Sequence, residues 1–243
     1  MSQPPTLHAC VISWPGHEDH SREIAARLLG AVDQLTVIYS TRDEQPLPQG
    51  AGEWVQVPDA WWYGRKHREC LRLHDCDILL QIQADAQCED WAALAARCRQ
   101  AHVASPSLGV WAPDIDNSDW PTDVSAIARA SDGRMSFVAG TDCIVWSLSA
   151  PVAQRVRTLD YECTNLGWGV DLAAIAYAYT HDLQVVKDST VSVHHPAGRR
   201  YDSQEAERQM NVFLAQLTAQ EAVVCQLMRA YMNQRRVLLA TTR

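Results

Sequence analysis

The sequence has little positive charge and no long apolar run. Its 243 residues include 21 lysines and arginines against 29 aspartates and glutamates, a formal net charge of −8. Such a chain lacks the broad basic surface that releases counterions from nucleic acid, so we expect no nucleic-acid partner, although a local cationic pocket remains open. Arg, His or Asp interrupts every apolar stretch before the roughly 20 residues that cross a bilayer. We therefore expect no transmembrane segment.

The sequence also lacks a metal-binding or disulfide pattern of cysteines. None of its eight cysteines forms a C-x-x-C pair, and a chain of this length can bury enough apolar surface to fold without bridges. Residues 1–5 (MSQPP) do not resemble the start of a signal peptide. These features predict reduced thiols in a cytoplasmic protein.

Strand and helix patterns alternate from the beginning of the chain. Residues 7–14 (LHACVISW) and 34–40 (QLTVIYS) are β-branched apolar runs typical of buried parallel strands. Between them, apolar residues at helical spacing predict a helix over residues 19–32. This order implies a right-handed crossover, and hence an α/β fold with a mostly parallel sheet covered by helices on both faces.

The same alternation continues to the end of the chain. We predict strands over residues 54–57, 77–86, 108–112, 137–147 and 183–194, and helices over residues 63–73, 89–101 and 170–181. Residues 114–136 are polar and irregular, which favours a loop over a site. An apolar stripe predicts a helical tail over residues 203–243, after a domain of residues 1–202. The stripe should pack on the sheet or on a partner protein. Arginines in the tail also allow a peripheral contact with anionic lipid at the inner membrane face.

Ligands of an open parallel sheet bind beyond the carboxyl ends of its strands. Ser13 and Trp14 follow the first predicted strand, Asp43 follows the second, and Asp85 follows the strand at 77–86. A carboxylate at Asp85 could hold a divalent metal or a ribose hydroxyl, or it could cap the next helix.

The turn at residues 167–171 (GWGVD) is the most informative segment. Its two glycines permit a tight turn, and Trp168 offers a flat apolar face to a sugar ring. Asp171 falls in the first turn of the following helix, where backbone N–H groups favour its ionised form. A carboxylate beside an aromatic face suits a general base, and the alternative is an Asp that only stabilises the helix dipole.

Histidines and arginines follow the last predicted strand. His194 and His195 end that strand, where an imidazole can be structural or can ligate a metal. Arg199 and Arg200 come next, and they suit either bidentate phosphate binding or simple solvation. Basic side chains in helix 63–73 could likewise attract a diphosphate or form a solvated face: Arg65, Lys66 and Arg68.

The order of these features over residues 7–202 resembles the Rossmann-like A-type fold of nucleotide-sugar glycosyltransferases, closest to inverting family 2 enzymes. DILLQIQADA takes the place of that family's Asp-x-Asp strand, so Gln83 stands for the first Asp and Asp85 for the second. GWGVD is similar to the Gly-Trp-Gly-Gly-Glu-Asp turn of β-1,4-galactosyltransferases, and VSVHHPAGRRY to the terminal His loop.

The resemblance implies inverting transfer of a sugar from a nucleoside-diphosphate sugar to a hydroxyl of a glycan or other acceptor. Asp171 would deprotonate that hydroxyl, and Trp168 would bind the acceptor. Asp85 and His195 would hold a divalent cation, Mn²⁺ or Mg²⁺; His195 is preferred to His194 because it shares a strand face with Val193. The residues expected to bind the nucleotide or donor are Ser13, Trp14, Asp43, Arg65, Gln83, Asp85 and Arg199.

Two other functions stay open at the sequence level. A non-catalytic nucleotide-sugar-binding module of a polysaccharide-assembly complex would account for Gln83, which could also hydrogen-bond in place of the first Asp. A nucleotidyltransferase shares the early strand order, but it would need a Gly-rich phosphate loop after the first strand. The segment SWPGHEDH is a poor loop of that kind.

Overall fold

A nine-stranded sheet runs through the computed structural model, which describes residues 3–43, 45–47, 49–131, 133–196 and 201–241. In chain order, the strands are β1 (Leu7–Ile12), β2 (Gln34–Tyr39), β3 (Glu53–Gln56), β4 (Ile78–Gln83), β5 (Leu108–Ile115), β6 (Ala126–Arg129), β7 (Met135–Val138), β8 (Val145–Ser149) and β9 (Gln184–Val193). Across the sheet they follow the order β3-β2-β1-β4-β8-β5-β9-β7-β6. Among these nine, only β7 and β8 run against the others, which confirms the predicted, mostly parallel sheet.

Helices cover both faces of the sheet, as predicted. In chain order, they are α1 (Glu18–Leu28), α2 (Tyr63–Leu73), α3 (Trp91–Ala104), α4 (Thr122–Ser125), α5 (Ala150–Arg157), α6 (Val170–Thr180), α7 (Ser203–Leu214) and α8 (Ala219–Thr241). Strand β1 shows why two layers form: Ala9 and Val11 enter the core beneath α1 and α3, while Cys10 and Ile12 enter the core beneath α2, α5 and α6. This alternation follows from the two-residue period of a strand.

The second half of the sheet differs from the prediction. The single strand predicted over residues 137–147 is wrong, because β7 pairs with β9 whereas β8 inserts between β4 and β5, and residues 139–144 connect them. The predicted loop at 114–136 contains α4 and β6, and α5 was not predicted. An apolar run does not reveal where the chain changes its pairing partner, so one continuous strand was the simplest interpretation.

The two C-terminal helices pack against the rest of the molecule. Phe213 is fully buried in the core beneath α6, and Met232 is fully buried in a smaller cluster with residues of α4 and α6. Arg155 of α5 donates two hydrogen bonds to the Glu221 carboxylate, at 2.8 and 2.7 Å. The eight cysteines are free thiols. None of the helices in the described ranges combines the length and hydropathy needed to span a membrane.

Candidate active site

The structure brings Asp85 and His195 together beyond the carboxyl ends of β4 and β9. His195 Nε2 lies 3.5 Å from Asp85 Oδ2. Burial tends to raise the pKa of Asp85, but contact with His195 outweighs burial and holds that pKa below its usual value. The same contact is the largest cause of the raised pKa of His195. Asp85 Oδ1 is buried without a hydrogen-bond partner among the described residues, so it is available to a ligand.

The two neighbouring histidines face different carboxylates. His194 Nδ1 lies 2.6 Å from Asp116 Oδ2, and the backbone N–H of His195 donates to Asp116 Oδ1 at 2.8 Å. Asn117 Nδ2 donates to the His195 carbonyl at 3.1 Å. Asp116 and Asn117 therefore fix the backbone at this strand end, while only the His195 ring is directed at Asp85.

The Gln83 side chain is hydrogen-bonded to the backbone. Its Nε2 donates to the Cys143 carbonyl at 2.9 Å, and Gln81 Nε2 donates to the same oxygen at 3.2 Å. The end of β4 is thereby tied to the segment that leads into β8. A carboxylate at position 83 could accept hydrogen bonds but could not donate this one.

Asp171 lies in the first turn of α6, which follows two glycines in the left-handed region. Gly167 and Gly169 have φ values of 82° and 89°. A Cβ on Gly167 would also come within 2.3 Å of Tyr63, so the close approach of the turn to α2 requires glycine. Asp171 is 8% exposed. Burial, reinforced by the nearby Asp142 charge, raises the pKa of Asp171 to about 7, although backbone N–H groups of the helix start oppose the shift.

Asp142 and Lys187 belong to this site, and sequence reasoning missed both. Burial raises the pKa of Asp142 despite a hydrogen bond from Ser118 and the charge of Lys187. Lys187, 2% exposed, donates to the Trp120 carbonyl, and its charge interacts with Asp142 and Asp171. Asp142 was placed inside a predicted strand, which hid it; the polar pair Thr-Asp interrupting that apolar run was the available signal.

At the ends of β1 and β2 the structure places Lys66 rather than Arg65. Lys66 is fully buried, and its Nζ donates to the Ser13 carbonyl at 2.6 Å and to Ser40 Oγ at 2.9 Å. The ammonium lies 5.4 Å from the centre of the Trp14 ring. Burial lowers the pKa of Lys66 to about 7, against the opposing charge of Asp59. Arg65 instead pairs with Glu162 at 2.7 Å.

The remaining predicted site residues have these positions. Asp43 is exposed in the loop after β2, where its Oδ1 accepts from the Gln45 backbone at 3.3 Å. Trp168 is partly buried, and its Nε1 donates to the Tyr201 hydroxyl at 2.9 Å. Arg199 lies outside the described residues.

Asp85 and His195 are the side chains that could share a divalent cation here. A carboxylate oxygen and an imidazole nitrogen suit Mn²⁺, and the unpartnered Asp85 Oδ1 fits such a role. Within the described ranges, no three His, Cys, Asp or Glu side chains converge as a preformed cage. The remaining ligands would have to come from a bound diphosphate and water.

Comparisons with known proteins identify the fold of the chain. No protein-family model and no curated protein matches the chain. Among solved structures, the mannosyltransferase PcManGT from Pyrobaculum calidifontis, in complex with GDP-Man and Mn²⁺, matches with a TM-score of 0.59 at 12% identity, covering 100% of this chain and 77% of that one. The chain has the A-type glycosyltransferase fold.

Two further structures share this A-type fold. Glucosyl-3-phosphoglycerate synthase from Mycobacterium tuberculosis, in complex with Mg²⁺ and UDP, matches with a TM-score of 0.55 at 14% identity, over 86% of this chain and 78% of that one. GalNAc-T7 with UDP, GalNAc and Mn²⁺ matches with a TM-score of 0.57 at 9% identity, over 81% of this chain but only 44% of that one. At these identities the likeness establishes the fold, and the resemblance inferred from the sequence is confirmed at that level.

Proposed function

We propose that this protein is an inverting glycosyltransferase that moves a sugar from a nucleoside-diphosphate sugar to a hydroxyl acceptor. The observation that carries the proposal is Asp171, a buried carboxylate at the start of α6 whose pKa lies near 7. A general base works best when its pKa is close to the working pH, because it is then both ionised and basic enough to take a proton. A carboxylate that served only the helix dipole would not need this burial.

In the proposed reaction Asp171 accepts the proton of the acceptor hydroxyl. The freed oxygen attacks the anomeric carbon, and the bond from that carbon to the diphosphate oxygen breaks with inversion. The leaving nucleoside diphosphate takes the bonding electron pair and gains negative charge. Preorganised positive charge at the site is the expected stabiliser of that charge. Lys187 lies among the acidic side chains, and its ammonium partly offsets their repulsion.

The nucleotide is proposed to lie across the ends of β1 and β2. The Trp14 ring offers a stacking face there, and Lys66 supplies a buried positive charge that interacts with Asp59. Ser13 and Ser40 orient the ammonium of Lys66. Asp85 would lie nearest the ribose and the diphosphate, as expected from its position after β4.

A divalent cation, Mn²⁺ or Mg²⁺, is proposed to bind Asp85 and His195 together with the diphosphate. Bound there, it would neutralise charge on the leaving group. The structures of PcManGT and GalNAc-T7 contain Mn²⁺ with a sugar nucleotide or with UDP, which supports the proposal by analogy of fold.

Release of nucleoside diphosphate from a panel of nucleotide sugars tests this function directly. The wild type should release diphosphate slowly in water and faster with a suitable acceptor, and the product should have the inverted anomeric configuration. The Asp171→Asn variant should still bind nucleotide but should lose turnover. Absence of turnover with every nucleoside and sugar, in the presence of Mn²⁺ or Mg²⁺, would contradict the proposal.

One observation favours a second candidate, a non-catalytic nucleotide-sugar-binding module of a polysaccharide-assembly complex. Gln83 uses its amide to hold the Cys143 carbonyl and supplies no first carboxylate. Such a module would bind a nucleotide sugar and leave it intact. Calorimetric binding without diphosphate release would therefore favour this second function.

A further inference from the structure

An aromatic wall stands beside the turn that carries Asp171. It consists of Trp62, Trp168 and Tyr201. The Trp62 and Tyr201 ring centres are 6.0 Å apart with the planes at 85°, and the Trp168 and Tyr201 centres are 6.3 Å apart at 78°. Tyr201 thus packs edge-to-face between two indoles that come from different segments of the chain. Its hydroxyl accepts from Trp168 Nε1 at 2.9 Å, so the wall is also hydrogen-bonded.

Trp62 is held in place by its own backbone. Its N–H donates to Asn165 Oδ1 at 2.9 Å, while Asn165 Nδ2 donates to the Ala60 carbonyl at 3.0 Å. The Gly64 N–H donates to the Asn165 carbonyl at 2.9 Å, and a Cβ on Gly64 would meet the Thr164 carbonyl oxygen at 1.7 Å. The start of α2 therefore lies directly against the segment that precedes Trp168. A wall fixed in this way needs little ordering when a ligand binds.

The Trp62 ring is the most open part of this wall. Trp62 is 37% exposed, whereas Tyr201 and Trp168 are more buried. Its indole N–H makes no hydrogen bond to any described residue. An exposed indole with a free donor at its edge matches a pyranose ring, which has an apolar C–H face and hydroxyls around its rim.

The cations that follow Trp62 in the first turns of α2 already have partners. Arg65 and Arg68 both pair with Glu162 at 2.7 Å, and Lys66 is buried with its Nζ donating to the Ser13 carbonyl. The single Glu162 carboxylate balances one of these two guanidinium charges. Arg68 covers the neighbouring Trp61 ring, with its guanidinium 5.6 Å from the ring centre. Trp62 is therefore the indole of this pair that can stack on a sugar.

We propose that Trp62 is the stacking platform for the acceptor, and that the acceptor is a pyranoside. This inference rests on the proposed function, since it is Asp171 that makes the neighbouring ligand an acceptor. It adds the chemical class of that acceptor and a residue that the sequence pattern did not indicate. Trp168 supports the platform by fixing Tyr201, and Trp62 contacts the sugar face.

Binding of simple sugars tests the platform without any need for turnover. Methyl pyranosides and disaccharides of glucose, galactose, mannose and N-acetylglucosamine would be titrated in the presence of UDP or GDP and Mn²⁺, with tryptophan fluorescence and calorimetry as readouts. At least one sugar should bind the wild type. Trp62→Ala should weaken its binding roughly tenfold through loss of stacked apolar area. Trp62→Phe should keep most of the affinity because it keeps an aromatic face.

The matched control is Trp61→Phe, which changes the adjacent indole that Arg68 covers and should leave sugar affinity unchanged. Circular dichroism and thermal melts would establish that all variants fold. Sugar affinity that is equal in Trp62→Ala and the wild type, or no sugar binding by the wild type, would overturn the inference. A protein that binds pyranosides through Trp62 but never turns over a donor would keep the platform and refute the enzymatic proposal instead.

Discussion

Replacing Asp171 with Asn should lower turnover strongly and, at the same time, stabilise the protein in alkaline solution. The side chain is 8% exposed at the start of α6, and Asn has nearly the same shape without an ionisable proton. An amide cannot accept the acceptor proton, so turnover should fall about 10²-fold or more while nucleotide affinity is retained. If Asp171 is the base and its burial destabilises the folded state, the Asn variant should show both the loss of turnover and the gain in stability.

The size of the expected stability change follows from the pKa of Asp171. Burial and the nearby Asp142 raise this pKa from 3.8 to about 7, a difference of about three units, which corresponds to about 4 kcal/mol. Because the folded-state pKa is the higher one, the folded protein loses stability as pH rises from about 4 to 7, and the loss is complete above pH 7. Asn has no ionisable proton, so the variant does not lose stability in this way. Relative to the wild type, Asp171→Asn should therefore gain about 2–3 kcal/mol more at pH 8 than at pH 5.

Urea unfolding at pH 5 and pH 8 measures the stability change, and the pH dependence of turnover measures the catalytic role. Wild-type turnover should rise with pH and level off above pH 7. The control is Asp19→Asn, which removes an exposed acid from the first turn of α1 and should change stability little at either pH. If Asp171 only stabilised its helix dipole, Asp171→Asn would cost about 0.3–1 kcal/mol at pH 8, and that outcome would refute the reasoning.

Three further predictions concern the nucleotide, the cation and the C-terminal helix. Lys66→Met should weaken nucleoside-diphosphate binding about tenfold or more. In the wild type this affinity should fall as pH rises through 7, because Lys66 loses its charge there, and calorimetry at pH 6 and 8 checks both expectations. His195→Ala should remove most of the enhancement that Mn²⁺ gives to diphosphate binding, whereas His194→Ala should not; equal affinity with and without Mn²⁺ in the wild type would contradict this. The protein should not sediment with anionic vesicles, because Arg235 and Arg236 already donate to backbone carbonyls within the molecule.

The first half of the fold could be predicted because its strands have both faces buried. Strands β1, β2 and β4 appear in the sequence as continuous apolar runs, and right-handed crossovers then fix their direction. In the second half, β7 and β8 belong to one apolar stretch but pair with different strands. Local hydrophobicity carries no information about that change of partner, since it depends on contacts far away in sequence.

The candidate site shows the same limit at the level of side chains. Asp85 and His195 could be paired from the sequence because both follow strands that end at one edge of the sheet. The choice between Arg65 and Lys66 could not be made, since neighbours in a helix point about 100° apart and the rotation of α2 is set by packing. Lys66 faces the ends of β1 and β2, and Arg65 faces Glu162.

Gln83 links the departure from the family pattern to the electrostatics of this site. Negative charge is already concentrated here: the Asp142 charge acts on Asp171 and on His195, and His195 contacts Asp85. A carboxylate at position 83 would add negative charge and would give up the hydrogen bond to the Cys143 carbonyl, which only a donor can make. The amide thus secures the segment that carries Asp142 without adding charge. With one carboxylate and one imidazole left to hold it, a cation would bind weakly alone and would depend on the diphosphate of the donor.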